Sequence, residues 1–182
     1  MKNIVIFTVF FLYITEISSQ NRMTFPHNVI LKDKKNKNVT SKIFYNFEKP
    51  IIIDYWATYC KPCIQKLDDL KDVYKEWQDR YGLQIIVISI DKKSKRKQAL
   101  KIIEKHNWPF QFYFDHNKEL LKKLSDINLV PLSFILDGKF NVVKTFSGAK
   151  FWMLPIDNSE EKRLKTDLRN YEKVLDSLVK KK

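Results

Sequence analysis

The sequence predicts an α/β layer fold around a mixed sheet, and three observations predict it. Two short runs, Ile51–Trp56 and Leu83–Ile90, are mostly β-branched, aromatic or otherwise apolar, the character of strands covered on both faces. Between them Ile64, Leu67, Leu70, Tyr74, Trp77 and Tyr81 recur at spacings of three and four, the period of a helix laid on a sheet. Beyond Ile90, helix-like and strand-like stretches keep alternating. In a chain of 182 residues with no internal repeat and no Pro- or Gly-rich linker, residues 25–182 fit a single domain.

The elements follow in order. Lys2, the apolar run Ile4 to Ile14 and the small residues Ser18 and Ser19 follow the plan of a secretory signal peptide, residues 1–19. Its uncharged stretch would reach about 20 Å as a helix, short of a bilayer core of about 30 Å. Val29 to Leu31 and Val39 to Phe44 flank a charged stretch and predict a hairpin turned on Asn rather than Gly. Pro50 opens the first buried strand, and Gly82 is placed to end the long helix in a left-handed conformation. After the second strand, Ser94 is placed to cap a helix running to His106, with Leu100 and Ile103 inward. Phe110 to Phe114 reads as a strand and Asp115 to Ser125 as a short helix. Leu132 to Leu136 and Val142 to Phe146 predict a hairpin around Asp137-Gly138. Ser159-Glu160-Glu161 predicts the start of a last helix with Leu164, Leu168, Tyr171, Leu175 and Leu178 on one face.

Composition narrows the function classes. Lys+Arg at 34 against Asp+Glu at 21 gives a net charge of +13, which speaks to anionic partners rather than to fold. Lys92, Lys93, Lys95, Arg96, Lys97, Lys101 and Lys105 cluster over one predicted helix. Without interleaved aromatic platforms or a known module they read as a solvated face, not a nucleic-acid site. The three histidines are scattered, so no metal site is expected, and no nicotinamide or flavin fingerprint implies a cofactor.

The two cysteines, Cys60 and Cys63, stand three residues apart where the first buried strand gives way to the long helix. Free backbone N–H groups and the helix dipole favour a thiolate at Cys60, and Lys61 adds a nearby cation. The geometry expected is Cys60 facing out of the turn as the attacking sulfur and Cys63 facing inward as the resolving one. A structural staple would close too short a loop to stabilise much, and half a zinc site lacks two ligands. Two ordinary buried cysteines would not need a helix start. A Cys-x-x-Cys beside a βαβ pattern is read as redox-active.

The string Ile53-Asp54-Tyr55-Trp56-Ala57-Thr58-Tyr59-Cys60-Lys61-Pro62-Cys63 resembles the active-site signature of the thioredoxin superfamily. From about residue 28 to 150 the chain is similar to the exported TlpA/ResA-like branch of thiol-disulfide oxidoreductases, with an AhpC/TSA- and Redoxin-like version of the fold. Val130-Pro131 before a strand, Asp137-Gly138 and Gly148 support the likeness. It implies a thioredoxin fold, a central mixed sheet flanked by helices, with an N-terminal hairpin extension and an inserted helix and strand.

By position, the resemblance makes Cys60 the nucleophile, Cys63 the resolving cysteine and Pro131 the cis-proline beside the active-site disulfide, with Val130 offering backbone to substrate. Asp54 matches the buried acid of thioredoxin, expected in an apolar strand to accept and return the proton of Cys63. Trp56 is expected to pack and shield, and Lys61 and Pro62 to support the turn. Two positions depart: many exported relatives carry Glu and Pro where this chain has Lys66 and Asp68. The resemblance by itself therefore does not carry a narrow assignment to haem-protein maturation. Ile53 and Ala57 replace the Pro and Thr of peroxiredoxins, which argues against peroxidase activity.

What the likeness implies is an exported, periplasmic or cell-envelope monomer that exchanges its dithiol with disulfide-containing protein substrates, as a reductant. A membrane electron donor would re-reduce it, with no cofactor and no nucleic acid. The alternatives are a non-catalytic binding module using the basic surface, or a disulfide oxidase or isomerase.

Overall fold

The computed structural model describes residues 23–46, 48–148 and 160–180. The predicted signal segment and the Ser159 cap lie outside the described residues, as does the side chain of Leu164. Strands β1 (Ile30–Lys32) and β2 (Asn38–Thr40) form the expected hairpin, paired antiparallel. Asn36 takes φ +65° in its turn, while Asp33 Oδ1 accepts the N–H groups of Lys35 and Lys37, each at 2.8 Å.

The second arm ends earlier than its β-branched pattern suggests, because Ser41–Asn46 winds into a 3₁₀ helix. The buried Ser41 hydroxyl accepts from Val29 N–H at 3.1 Å and donates to Pro26 O at 2.7 Å, turning the chain so that Phe44 enters the core. Local side-chain bonding has overridden strand propensity here.

Strand β3 (Ile51–Trp56) is buried throughout. It leads into α1 (Lys61–Tyr81), which lays Cys63, Leu67, Leu70, Tyr74, Trp77 and Tyr81 inward. Gly82 ends α1 at φ +64°, its N–H donating to Gln78 O. Strand β4 (Gln84–Ser89) follows, then α2 (Arg96–His106), β5 (Gln111–Phe114) and α3 (Glu119–Leu124). Ser94 does not cap α2: it lies inside a 3₁₀ turn, Lys93–Lys95, that carries the chain into the helix, and Ala99 and Ile103 are the buried positions. At the start of α3 the Asp115 carboxylate, three residues before the N-cap Lys118, accepts from Glu119 N–H at 2.8 Å and Leu121 N–H at 3.0 Å.

Strands β6 (Leu132–Leu136) and β7 (Val142–Ser147) make the expected hairpin, and α4 (Glu160–Val179) closes the described chain. The seven strands form one sheet in the order β2-β1-β5-β4-β3-β6-β7. β3, β4 and β5 run parallel, while β6 lies antiparallel to β3 and β7 antiparallel to β6. This mixed sheet with helices packed on it is the predicted architecture. The parallel strands deliver their carboxyl ends to one edge, where ligands meet α/β sheets.

Candidate functional site

At that edge the chain leaves β3 through Ala57-Thr58-Tyr59 and re-enters order at Cys60, the N-cap of α1. Asp91 fixes this turn: its two carboxylate oxygens accept from the Thr58 N–H and the Thr58 hydroxyl, each at 2.9 Å. Pro62 sits in the first turn of the helix, where its missing N–H costs nothing. Cys60 and Cys63 are joined in a disulfide. The Cys63 N–H donates to Cys60 Sγ at 3.3 Å, so the positive end of the helix is aimed at that sulfur. Both cysteines are buried, Cys60 at 4% exposure and Cys63 at 0%, which corrects the expectation that Cys60 faces out of the turn. The exposed positions of the turn are Tyr59 and Lys61.

Beneath the turn, Asp54 is fully buried in β3 but not isolated. Its Oδ2 pairs with Lys66 Nζ at 2.5 Å and accepts from the Ser133 hydroxyl at 2.7 Å. Lys66 Nζ also donates to Ser133 Oγ at 2.8 Å, and the Tyr171 hydroxyl of α4 donates to the same oxygen at 2.8 Å. Asp54 thus sits in a polar network within the apolar strand. Lys66 comes three residues after Cys63 and four before Leu70, on the stripe of α1 that faces β3. Pairing and shared hydrogen bonds offset the cost of burying these two polar side chains. Asp54 Oδ1 is left without a hydrogen-bond partner among the described residues. Next to it Tyr55 is buried, and burial followed by the Asp115 charge holds its phenol well above the ordinary range.

A second support reaches the motif through Trp56, which is fully buried. Its indole meets Trp108 edge to face at 5.6 Å, and His106 stacks on Trp108 at 4.7 Å. Asp68 Oδ1 accepts from Trp108 Nε1 at 2.8 Å and lies 2.8 Å from His106 Nδ1. Both departures from the relatives' pattern, Lys66 and Asp68, are therefore wired to residues that carry the cysteine turn.

Across the sheet edge, β6 pairs with β3 through Tyr55↔Leu132, which brings the preceding Val130-Pro131 level with Trp56. The peptide between these two residues is cis, and Val130 is buried. Gly148 donates its N–H to Pro131 O at 2.8 Å, and a Cβ there would sit 2.6 Å from the proline ring. Only glycine permits that approach. The structure therefore brings Cys60, Cys63, Lys61, Pro62, Trp56, Val130 and Pro131 to one edge, with Asp54 in the layer below. Sequence reading assigned none of Asp91, Ser133 and Tyr171 to the site and did not foresee the pairing of Lys66. For Lys66 a signal existed, since a lysine on a buried helical stripe needs a partner.

A mixed sheet with a Cys-x-x-Cys pair capping its long helix, faced by a cis-proline loop, defines a thioredoxin-superfamily protein of the ResA/TlpA-like kind. The chain belongs to the AhpC/TSA family, whose model matches residues 24–145. It is 25% identical over 122 residues to the thiol-disulfide oxidoreductase ResA of Bacillus thuringiensis subsp. konkukian, a match spanning 66% of each chain, just under two thirds. A solution structure of a thioredoxin-like protein from Porphyromonas gingivalis is similar at 28% identity and a TM-score of 0.64, covering 86% of this chain and 92% of that one. The same fold recurs at 18% identity, with a TM-score of 0.61, in a structure described as a putative thiol:disulfide interchange protein DsbE from Chlorobium tepidum, over 82% of this chain and 95% of that one.

Proposed function

We propose that this chain is an exported thiol-disulfide oxidoreductase that reduces disulfides in other proteins. One observation carries the reading: the Cys60 sulfur caps α1 and accepts the Cys63 N–H, while Cys63 waits bonded behind it. In the reduced protein that donor, the helix dipole and Lys61 favour a thiolate on Cys60. The thiolate bonds to one sulfur of a substrate disulfide and displaces the other as a thiolate, forming a mixed disulfide. Cys63, losing its proton, then attacks Cys60 Sγ and expels the second substrate sulfur. Two electrons pass to the substrate, whose two thiolates take up protons, and Cys60–Cys63 returns to the disulfide seen here. Asp54 takes the Cys63 proton in this step and returns it on re-reduction, through an Oδ1 with no hydrogen-bond partner among the described residues. Pro131 packs beside the pair, Val130 offers backbone to substrate, Pro62 and Trp56 hold the turn, and Asp91 fixes it from below.

The likeness to ResA supports export; the reading further takes residues 1–19 as the signal peptide, 25–182 as one domain acting as a monomer, and a membrane electron donor for re-reduction. Ile53 and Ala57, in place of the Pro and Thr of peroxidatic members, favour dithiol exchange over peroxide reduction. The test is insulin reduction by the dithiothreitol-reduced protein. Wild type is expected to precipitate the insulin chains, Cys60→Ser to lose that activity, and Cys63→Ser to accumulate a mixed disulfide on Cys60. Equal activity in Cys60→Ser would refute the reading. Equilibration with glutathione checks the direction: a potential as oxidising as that of DsbA would reverse it.

A further inference from the structure

The lysine run that reads from sequence as one solvated face is divided by the fold. β3 and β4 are parallel in the register Trp56↔Ser89, and Ile90 N–H donates to Trp56 O at 3.0 Å. With Asp91 bonded to Thr58, the segment that follows leaves the sheet beside the turn that carries Cys60. Lys92, Lys93 and Lys95 stand exposed on it. Lys97, Lys101 and Lys105 are exposed along α2, leading away from that edge.

Large apolar side chains are exposed at the same edge. Tyr59, directly before Cys60, is 73% exposed, and Leu129, directly before Val130-Pro131, is 61% exposed. The antiparallel pairing of β3 with β6 sets these two segments on neighbouring strand ends. Removing apolar surface from water is favourable, so a partner covering both residues is favoured. Lys61, also exposed, is the first residue of α1, two positions after Tyr59. Asp126 is the exposed carboxylate of the Ser125–Leu129 segment, and Lys61, Lys92, Lys93 and Lys95 outnumber it.

We infer that this edge docks an acidic, disulfide-bearing protein segment. An apolar residue beside the substrate cystine seats on Tyr59 and Leu129, and carboxylates flanking it meet Lys61, Lys92, Lys93 and Lys95. The inference rests on the dithiol-exchange reading and names its substrate class. Charge complementarity acts mainly on encounter, so it shows in kcat/KM and weakens with salt.

The experiment compares two peptides, each with one disulfide beside a leucine, identical except for Glu or Lys flanks. At low salt the reduced wild type is expected to act on the Glu peptide about tenfold or more faster in kcat/KM, the scale of electrostatic steering. That ratio should shrink towards one as salt rises. The triple variant Lys92→Glu, Lys93→Glu, Lys95→Glu should reverse the preference. Lys97→Glu, Lys101→Glu, Lys105→Glu, with the same change in net charge, should keep it. Tyr59→Ser with Leu129→Ser should raise KM for both peptides.

No preference in wild type, or equal effects of the two triple variants, overturns the inference. So does salt-sensitive binding to phosphatidylglycerol vesicles without peptide discrimination, which would assign the edge to a membrane surface. Hydroxyethyl disulfide, small and uncharged, separates the two readings. Wild type that reduces it without discriminating the peptides refutes only the docking surface, and wild type inert towards it refutes the dithiol chemistry itself.

Discussion

Lys66 and Asp68 lie two residues apart on α1, and the fold treats them in opposite ways. Lys66 turns into the core at 6% exposure, against Asp54 and Ser133. Asp68 stays on the half-wet flank, its side chain 36% exposed, gathering Trp108 and His106. Each supports the cysteine turn, one from below through β3 and the other from the side through Trp56. The difference teaches that solvent, more than contact distance, sets what such a pair is worth. Water reduces the attraction of unit charges 4 Å apart to about 1 kcal/mol, and a drier setting multiplies it several-fold.

The largest effect should come from cutting the buried pair. Lys66→Met leaves the Asp54 carboxylate buried without its cation and is expected to cost about 3–5 kcal/mol in urea unfolding. Adding Asp54→Leu should recover much of that loss, because removing both charges spares the desolvation. A single-variant cost below that of any Asp68 change would break the comparison. Next comes Asp68→Ala, which leaves the buried Trp108 N–H without its acceptor, at a cost of about 1–3 kcal/mol. Near-ultraviolet circular dichroism should show the Trp56–Trp108 contact loosening in that variant while the Lys66 network stays intact.

The smallest effect concerns the far end of α1, and it appears only at high pH. Tyr81 donates to Asp176 of α4 at 2.8 Å. Burial first, and then that hydrogen bond and charge, push its phenol up to about 12 from 10.0. The folded state therefore keeps a proton that the unfolded chain loses near pH 10. The stability this contributes is whole below pH 10 and is lost as pH rises through about 12. The gap in Tm between wild type and Tyr81→Phe should be constant from pH 7 to 9 and narrow between pH 10 and 12. A gap unchanged across that range would remove the Tyr81–Asp176 hydrogen bond from the account.

The sheet and the cysteine turn were legible because both are local. β-branched runs mark β3 and β4, the spacing from Ile64 to Tyr81 marks α1, and Gly82 marks its end. The 3₁₀ helix at Ser41–Asn46 was not legible, since its cause is a hydroxyl reaching back to Val29 and Pro26. Nor was the network under Cys63, which joins Asp54, Lys66, Ser133 and Tyr171 from four separate elements. Lys66 was visible as an oddity of the motif, and only the tertiary fold shows that it answers Asp54. The lysine run held the same kind of ambiguity: charge alone fixes no geometry, and the Thr58–Asp91 bonds decide which lysines stand beside Cys60.

The central claim is that Cys60 is the reactive sulfur because the helix start is aimed at it. Its most direct test is the rate of iodoacetamide alkylation of each cysteine in the reduced protein, followed by mass spectrometry from pH 5 to 9. Cys60 is expected to react at neutral pH with an ionisation midpoint well below the ordinary thiol value of about 8.5, and Cys63 to stay protected. Equal, slow modification of both at pH 7 would contradict the account and leave a thioredoxin fold without its chemistry.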